Sequence, residues 1–179
     1  GCISLDSVEM QPAPPVLFPN GQIDQEISCF GECDAIVSHN PTGGTAPYTS
    51  VWDLPFGVDT NNVCPTYAVI TVTDANGCIE SDTLILIEPA EIVPNDVVVD
   101  VLCFGDSTGS ITLNPTGGTG GTYTYVWSGP MPGSGMSTTS LMAGEYTIII
   151  TDSNGCFTTV IDTINEPPVL SSTPIGVDI

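Results

Sequence analysis

The sequence predicts an all-β fold: tandem immunoglobulin-like antiparallel β-sandwich repeats stapled by disulfides. Three observations predict it. The chain repeats itself at a period of about 75 residues, the signature of a tandem array. Its apolar stretches are short, rich in β-branched residues and bounded by Gly, Asn, Asp or Pro, as strands are. Seven cysteines occur without a single C-x-x-C pair, which reads as a disulfide framework rather than a zinc site.

The repeat is carried by several short motifs. N-P-T-G-G-T stands at Asn40–Thr45 and Asn114–Thr119. C-F-G stands at Cys29–Gly31 and Cys103–Gly105, and T-D-x-N-G-C at Thr73–Cys78 and Thr151–Cys156. Trp52 answers Trp127, Tyr48 answers Tyr123, and Tyr67 is set against Tyr146. At the ends, Gly1-Cys2 matches the tail of N-G-C, and Pro14–Leu17 matches Pro167-Pro168-Val169-Leu170. The expected organisation is therefore 1–19 as the tail of a preceding repeat and a linker, 20–92 as repeat one, 93–170 as repeat two, and 171–179 as the first strand of a following repeat. On this reading the natural polypeptide is longer.

Within repeat two the expected strands run in order. Val97–Leu102 is β-branched. Gly109–Asn114 alternates and then breaks at Pro-Thr-Gly-Gly. Thr122–Trp127 alternates aromatics with Thr and Val, and Glu145–Thr151 and Phe157–Ile164 are further β-branched runs. No stretch carries a capped 3.6-residue apolar period. Six or seven strands in about 75 residues, a mid-strand Trp, and Leu141–Tyr146 resembling a tyrosine corner point to the immunoglobulin type of sandwich. A domain of that size is marginal on apolar burial alone, so covalent staples matter.

Charge removes several functions. There are 21 acids, no Lys, no Arg and one His, for a formal net charge of −21. Nucleic acid and anionic membrane surfaces would repel such a chain. Arginine capture of phosphate, lysine Schiff bases and Lys–Asn isopeptide staples are all unavailable. No apolar run approaches the ~18 residues that read as a membrane helix. The one His39 has no counterpart in repeat two, and no acid/base pair recurs, so the expectation is no enzyme and no catalytic residue. His39 itself reads as a core or surface side chain.

The cysteines are expected to pair within repeats, Cys29 with Cys78 and Cys103 with Cys156. Cys33 and Cys64 are both present in repeat one and both replaced in repeat two, which argues for a second bond, Cys33–Cys64. Cys29–Cys33 with Cys64–Cys78 is the alternative. Cys2 is left over, with a partner expected outside this chain segment. Cysteine bonding places the chain in an extracellular compartment.

Other candidate sites have a structural reading beside the functional one. Asp74/Asn76 and Asp152/Asn154 resemble half of a calcium loop, and equally a hairpin turn in which Gly77 or Gly155 supplies positive φ. No cofactor is expected beyond weak, diffuse Ca2+ binding by the acidic surface. The Gly-Gly at 43–44 and 117–118 lacks the helix and Lys of a phosphate loop and reads as a turn. Trp52, Trp127, Tyr48 and Tyr123 could form a sugar platform, or pack as core.

The set C-F-G, G-G-x-x-x-Y-x-x-x-W, L-x-A-G-x-Y, T-D-x-N-G-C and trailing E-P resembles the SprB-type repeat of Bacteroidetes gliding-motility adhesins. Repeat one departs at the corner, with Asn62-Val63-Cys64-Pro65-Thr66-Tyr67. The resemblance implies an extracellular, surface-anchored giant protein exported by the type IX route, and a filament for adhesion or gliding. Asp6-Ser7-Val8, Asp82-Thr83-Leu84 and Asp162-Thr163-Ile164 are similar to the O-glycan acceptor of Bacteroidetes, making Ser7, Thr83 and Thr163 glycosylation candidates. Expected partners are neighbouring repeats of the same chain or filament and an unidentified surface or glycan ligand. The alternatives are a carbohydrate-binding module, or a fibre subunit polymerised by strand addition.

Overall fold

The computed structural model describes residues 15–54, 62–64 and 66–171. These fall into two compact units, one within Gly1–Ile27 and Gly31–Glu88, the other within Ser28–Phe30 and Pro89–Ile179. The described residues contain no helix. The first strand expected for a following repeat lies, apart from Ser171, outside them.

Unit one holds β1 (Gly21–Gln25), β2 (Ile36–His39), β3 (Thr49–Asp53), β4 (Thr66–Thr73) and β5 (Ile79–Leu86). β1 pairs with β2, and β3-β4-β5 form a three-stranded sheet. Unit two holds β6 (Ala90–Val93), β7 (Val97–Val99), β8 (Gly109–Thr112), β9 (Thr116–Gly118), β10 (Thr124–Ser128), β11 (Ser137–Leu141), β12 (Gly144–Thr151) and β13 (Phe157–Ile164). Its sheets are β10-β12-β13, β11-β8-β7 and β6-β9. All pairings in both units are antiparallel. The fold is all-β and compatible with tandem immunoglobulin-like repeats.

Alternation dictates which side chains enter the core. Along β12, Tyr146, Ile148 and Ile150 are buried while Glu145 and Ile149 face out. They join Ile111 and Leu113, Leu141, Trp127 and Ile164 in one cluster, so both three-stranded sheets of unit two contribute to a shared core. The Tyr146 hydroxyl donates to the Met142 carbonyl at 3.0 Å, the bond that makes a tyrosine corner.

The same strand corrects one alignment. Trp52 lies opposite Ile70 on β4, and Trp127 opposite Ile148 on β12. Counting back from these partners puts Ala68, not Tyr67, in the place of Tyr146. Ala68 is fully buried, whereas Tyr67 is 49% exposed. A shift of one residue along a strand moves a side chain to the opposite face, and repeat one has no corner tyrosine in the core.

Candidate functional site: the cysteines and the loops that hold them

The recurring motifs are halves of two hydrogen-bonded locks. In the first, T-D-x-N-G-C meets N-P-T-G-G-T. Asp152 Oδ1 accepts the amides of Asn154 and Cys156, each at 2.9 Å, and Oδ2 accepts the amide and hydroxyl of Thr119, each at 2.9 Å. Asp74 repeats this: Oδ1 accepts from Asn76 and Cys78 at 2.8 and 2.9 Å, and Oδ2 from the Thr45 amide at 2.9 Å. The Gly-Gly is required by close approach. A Cβ at Gly43 would fall 1.7 Å from the Val16 carbonyl oxygen, and one at Gly117 would fall 1.9 Å from that of Glu91. The tyrosine after each Gly-Gly closes the loop: Tyr123 donates to the Gly117 carbonyl at 2.7 Å, and Tyr48 to that of Gly43.

Both aspartates are buried with their oxygens facing N–H and O–H donors. The Cys78 amide foremost, with those of Thr45 and Asn76, holds Asp74 below the usual carboxylate range against the opposing effect of burial. For Asp152 burial pushes upward, but the Thr119, Asn154 and Cys156 donors together outweigh it and its carboxyl is also lowered. These are turn-forming carboxylates, consistent with the hairpin reading of Asp74/Asn76 and Asp152/Asn154. Asn76 turns its amide to the Thr45 hydroxyl at 2.9 Å. Among the described residues no three His, Cys, Asp or Glu side chains gather as a metal site would need.

The second lock joins C-F-G to the trailing E-P. The Gly31 amide donates to Glu88 Oε2 at 2.8 Å, and the Gly105 amide to Glu166 Oε2 at 3.0 Å. Both glycines have φ of 78°, which explains the Gly of C-F-G. The two locks sit at opposite ends of the last hairpin. Cys78 and Cys156 precede the eight-residue strands β5 and β13, whereas Glu88 and Glu166 follow them.

That separation decides the disulfides. Eight antiparallel residues span about 27 Å, while bridged cysteines have Cα atoms within about 7 Å. Cys29 and Cys103 each stand two residues from the glycine held at the far end, so the expected in-repeat bonds Cys29–Cys78 and Cys103–Cys156 are excluded. Cys29 instead bonds Cys156, with Cα atoms 5.6 Å apart and 127 residues between them in sequence. Both belong to unit two, which includes Ser28–Phe30. Cys33 bonds Cys64, with Cα atoms 4.0 Å apart, which also sets aside the alternative Cys29–Cys33 with Cys64–Cys78. Cys78 and Cys103 are exposed thiols. Cys2 lies outside the described residues.

The remaining candidates are placed as follows. Trp127 is 7% exposed and its indole N–H donates to the Gly135 carbonyl at 3.0 Å, so no sugar can stack on it. Trp52, Tyr48 and Tyr123 are half-buried and pack against the cores. His39 meets Trp52 edge to face, ring centroids 5.7 Å apart. Thr83 and Thr163 are exposed on the last strand of each unit, as modification would require, and Ser7 lies outside the described residues.

Asp162, which the sequence marks only as part of a glycan-acceptor motif, is a buried carboxyl. Burial foremost, with the nearby Asp96 carboxylate, pushes its carboxyl up to about 6, and its buried Oδ2 has no hydrogen-bond partner. At the same register position unit one has Leu84, opposite Ala68 as Asp162 is opposite Tyr146, while its Asp82, two residues earlier, accepts the Gly21 amide at 3.0 Å. The signal was present in the repeat: Asp96 stands where repeat one has Gly21, each following an asparagine of positive φ, Asn95 or Asn20.

Comparison with known families bears on repeat two. Residues 95–132 match the family model described as SprB repeat. This segment holds C-F-G, N-P-T-G-G-T and the Y-x-x-x-W strand, and it is similar to a SprB-type repeat. No curated protein matches the chain.

Proposed function

We propose that this chain is a stalk segment of a large extracellular bacterial surface adhesin, serving adhesion or gliding as a structural, non-enzymatic filament. The observation that carries the reading is the SprB-type repeat at 95–132, a kind found in cell-surface proteins, set in a chain whose repeats carry the same two locks. Disulfides support an oxidising, extracellular setting. Export by the type IX route and a part in gliding follow from the same likeness.

The composition suits that role. With no Lys or Arg the chain offers no standard tryptic site, and its charge of −21 opposes lateral association of exposed edge strands. Pro89 and Pro167, with φ limited by their rings, stiffen the exits from the last strands. Glycans are proposed at Thr83 and Thr163. The carbohydrate-binding alternative is weakened by the burial of Trp127.

The test is surface labelling of intact cells of the source organism with an antibody to this chain, with intact mass of the natural protein before and after reduction. Labelling of unpermeabilised cells, loss of attachment or gliding on deletion of the gene, and a mass far above 18.6 kDa would support the stalk. An intracellular protein with no adhesion phenotype would overturn it.

A further inference from the structure

The C-F-G cysteine and the N-G-C cysteine of one repeat are held at opposite ends of its last hairpin, and the bond that forms joins the C-F-G cysteine of repeat one to the N-G-C cysteine of repeat two. We propose that this is the general rule of the array: each C-F-G cysteine bonds the N-G-C cysteine one repeat ahead, so that Cys103 and Cys78 are the two ends of a head-to-tail disulfide ladder. Cys103 takes the N-G-C hairpin of another repeat of this type, and Cys78 takes a C-F-G turn. This concerns covalent order alone and does not depend on the adhesive reading.

Two observations beyond the thiols support it. Bonding buries the N-G-C cysteine: Cys156 is 6% exposed and its sulfur lies 3.1 Å from the Ser28 carbonyl, whereas Cys78, in the same motif, is exposed. Around Cys103 the chain presents an apolar groove of about 410 Å³ lined by Leu102, Phe104, Pro167, Pro168, Val169 and Leu170. Leu102 is 77% exposed and Leu170 is 99% exposed, an apolar collar around a thiol in an otherwise acidic chain. The groove thus continues a bonding site whose counterpart at Cys29 is already engaged.

The chemistry is thiol–disulfide exchange with a small-molecule disulfide such as oxidised glutathione. The Cys103 thiolate attacks the reagent, forming a mixed disulfide and releasing one small thiol. The Cys78 thiolate of the incoming repeat then displaces the second. Two protein thiols lose two electrons and two protons; one small disulfide becomes two thiols.

In a solution of this chain the incoming repeat is a second copy. Two variants are prepared with Cys2→Ser in both, one adding Cys78→Ser and the other Cys103→Ser. They are mixed at equal concentration in a glutathione buffer and analysed by intact mass and non-reducing peptide mapping. The Cys103–Cys78 cross-dimer should exceed the two homodimers together by about tenfold, the ratio that 1.4 kcal/mol of specific docking confers. Cross-dimers merely equal to the homodimers together, the random outcome, would overturn the proposal, as would no dimer at all. So would peptides linking Cys103 to Cys156 or Cys29 to Cys78. Leu170→Asp with Leu102→Asp in the Cys103-bearing partner should lower the cross-dimer toward the random ratio; an unchanged ratio would remove the groove from the argument and overturn the docking. In the natural protein, Cys103 bonded within a single-chain mass would assign the partner to the same polypeptide, and a multiple of that mass to a second copy.

Discussion

The two units share their locks and differ in their cores. Unit two has one cluster with Tyr146 at its centre, fully buried. Unit one splits into two smaller clusters, one around Ala35, Val37, Val63 and Ala68, the other of Leu17, Ile70 and Val72. Where unit two has the tyrosine, unit one has Ala68, and unit one alone carries Cys33–Cys64. That bond flanks the Ala35–Val63 bridge, the counterpart of the Gly109–Leu141 rung in unit two. A repeat that buries less apolar surface loses cohesion, and a cross-link that restricts the unfolded chain restores it. The two units hold their antiparallel sheets together by different balances of packing and covalent constraint.

Five variants break or sharpen this contrast. Tyr146→Ala should be the largest, destabilising unit two by about 3–5 kcal/mol, the usual range for emptying a large buried aromatic site; Tyr67→Ala should stay within about 0.5 kcal/mol, as exposed substitutions do. Denaturant unfolding of the two variants measures both, and equal effects would return Tyr67 to the core position. Cys33→Ser with Cys64→Ser should cost unit one about 3–4 kcal/mol, from the loop-closure entropy of a 31-residue separation, and leave unit two unchanged by hydrogen exchange.

Next comes acid. Asp74 and Asp152 have lowered values in the fold, so their contribution is full above the ordinary value of 3.8 and is lost as pH falls through the lowered one. Asp152→Asn should flatten that acid limb for unit two while unit one keeps its own, read by hydrogen exchange at stepped pH. The smallest effect is at Asp162. Its value is raised to about 6 from 3.8, so the folded state holds the extra proton and stability declines as pH rises from about 4 to about 6. Asp96→Gly, which copies Gly21 of repeat one, should lift the melting temperature at pH 7 more than at pH 4. An equal change at both values would show that the carboxylate pair is not coupled.

The motifs were legible because each is a local device. Asp-x-Asn-Gly makes a turn whatever surrounds it, β-branched runs such as Glu145–Thr151 make strands, and Leu141–Tyr146 marked the tyrosine corner of repeat two. The partners of those motifs were not legible. Asp152 meets Thr119 across 33 residues and Gly105 meets Glu166 across 61, contacts for which no local spacing exists. In repeat one the corner tyrosine was misplaced by a single position, because Cys64-Pro65-Thr66 breaks the pattern from which the register was counted.

Chain chemistry alone thus settled the β class, the repetition, the turns and the absence of cationic chemistry, since these depend on residue type and near-neighbour geometry. The disulfide partners were decided by tertiary structure. Two cysteines that recur once in every repeat look like a pair on paper, but a strand of eight residues is rigid and about 27 Å long, and a sulfur–sulfur bond reaches only where folding has brought the backbones together.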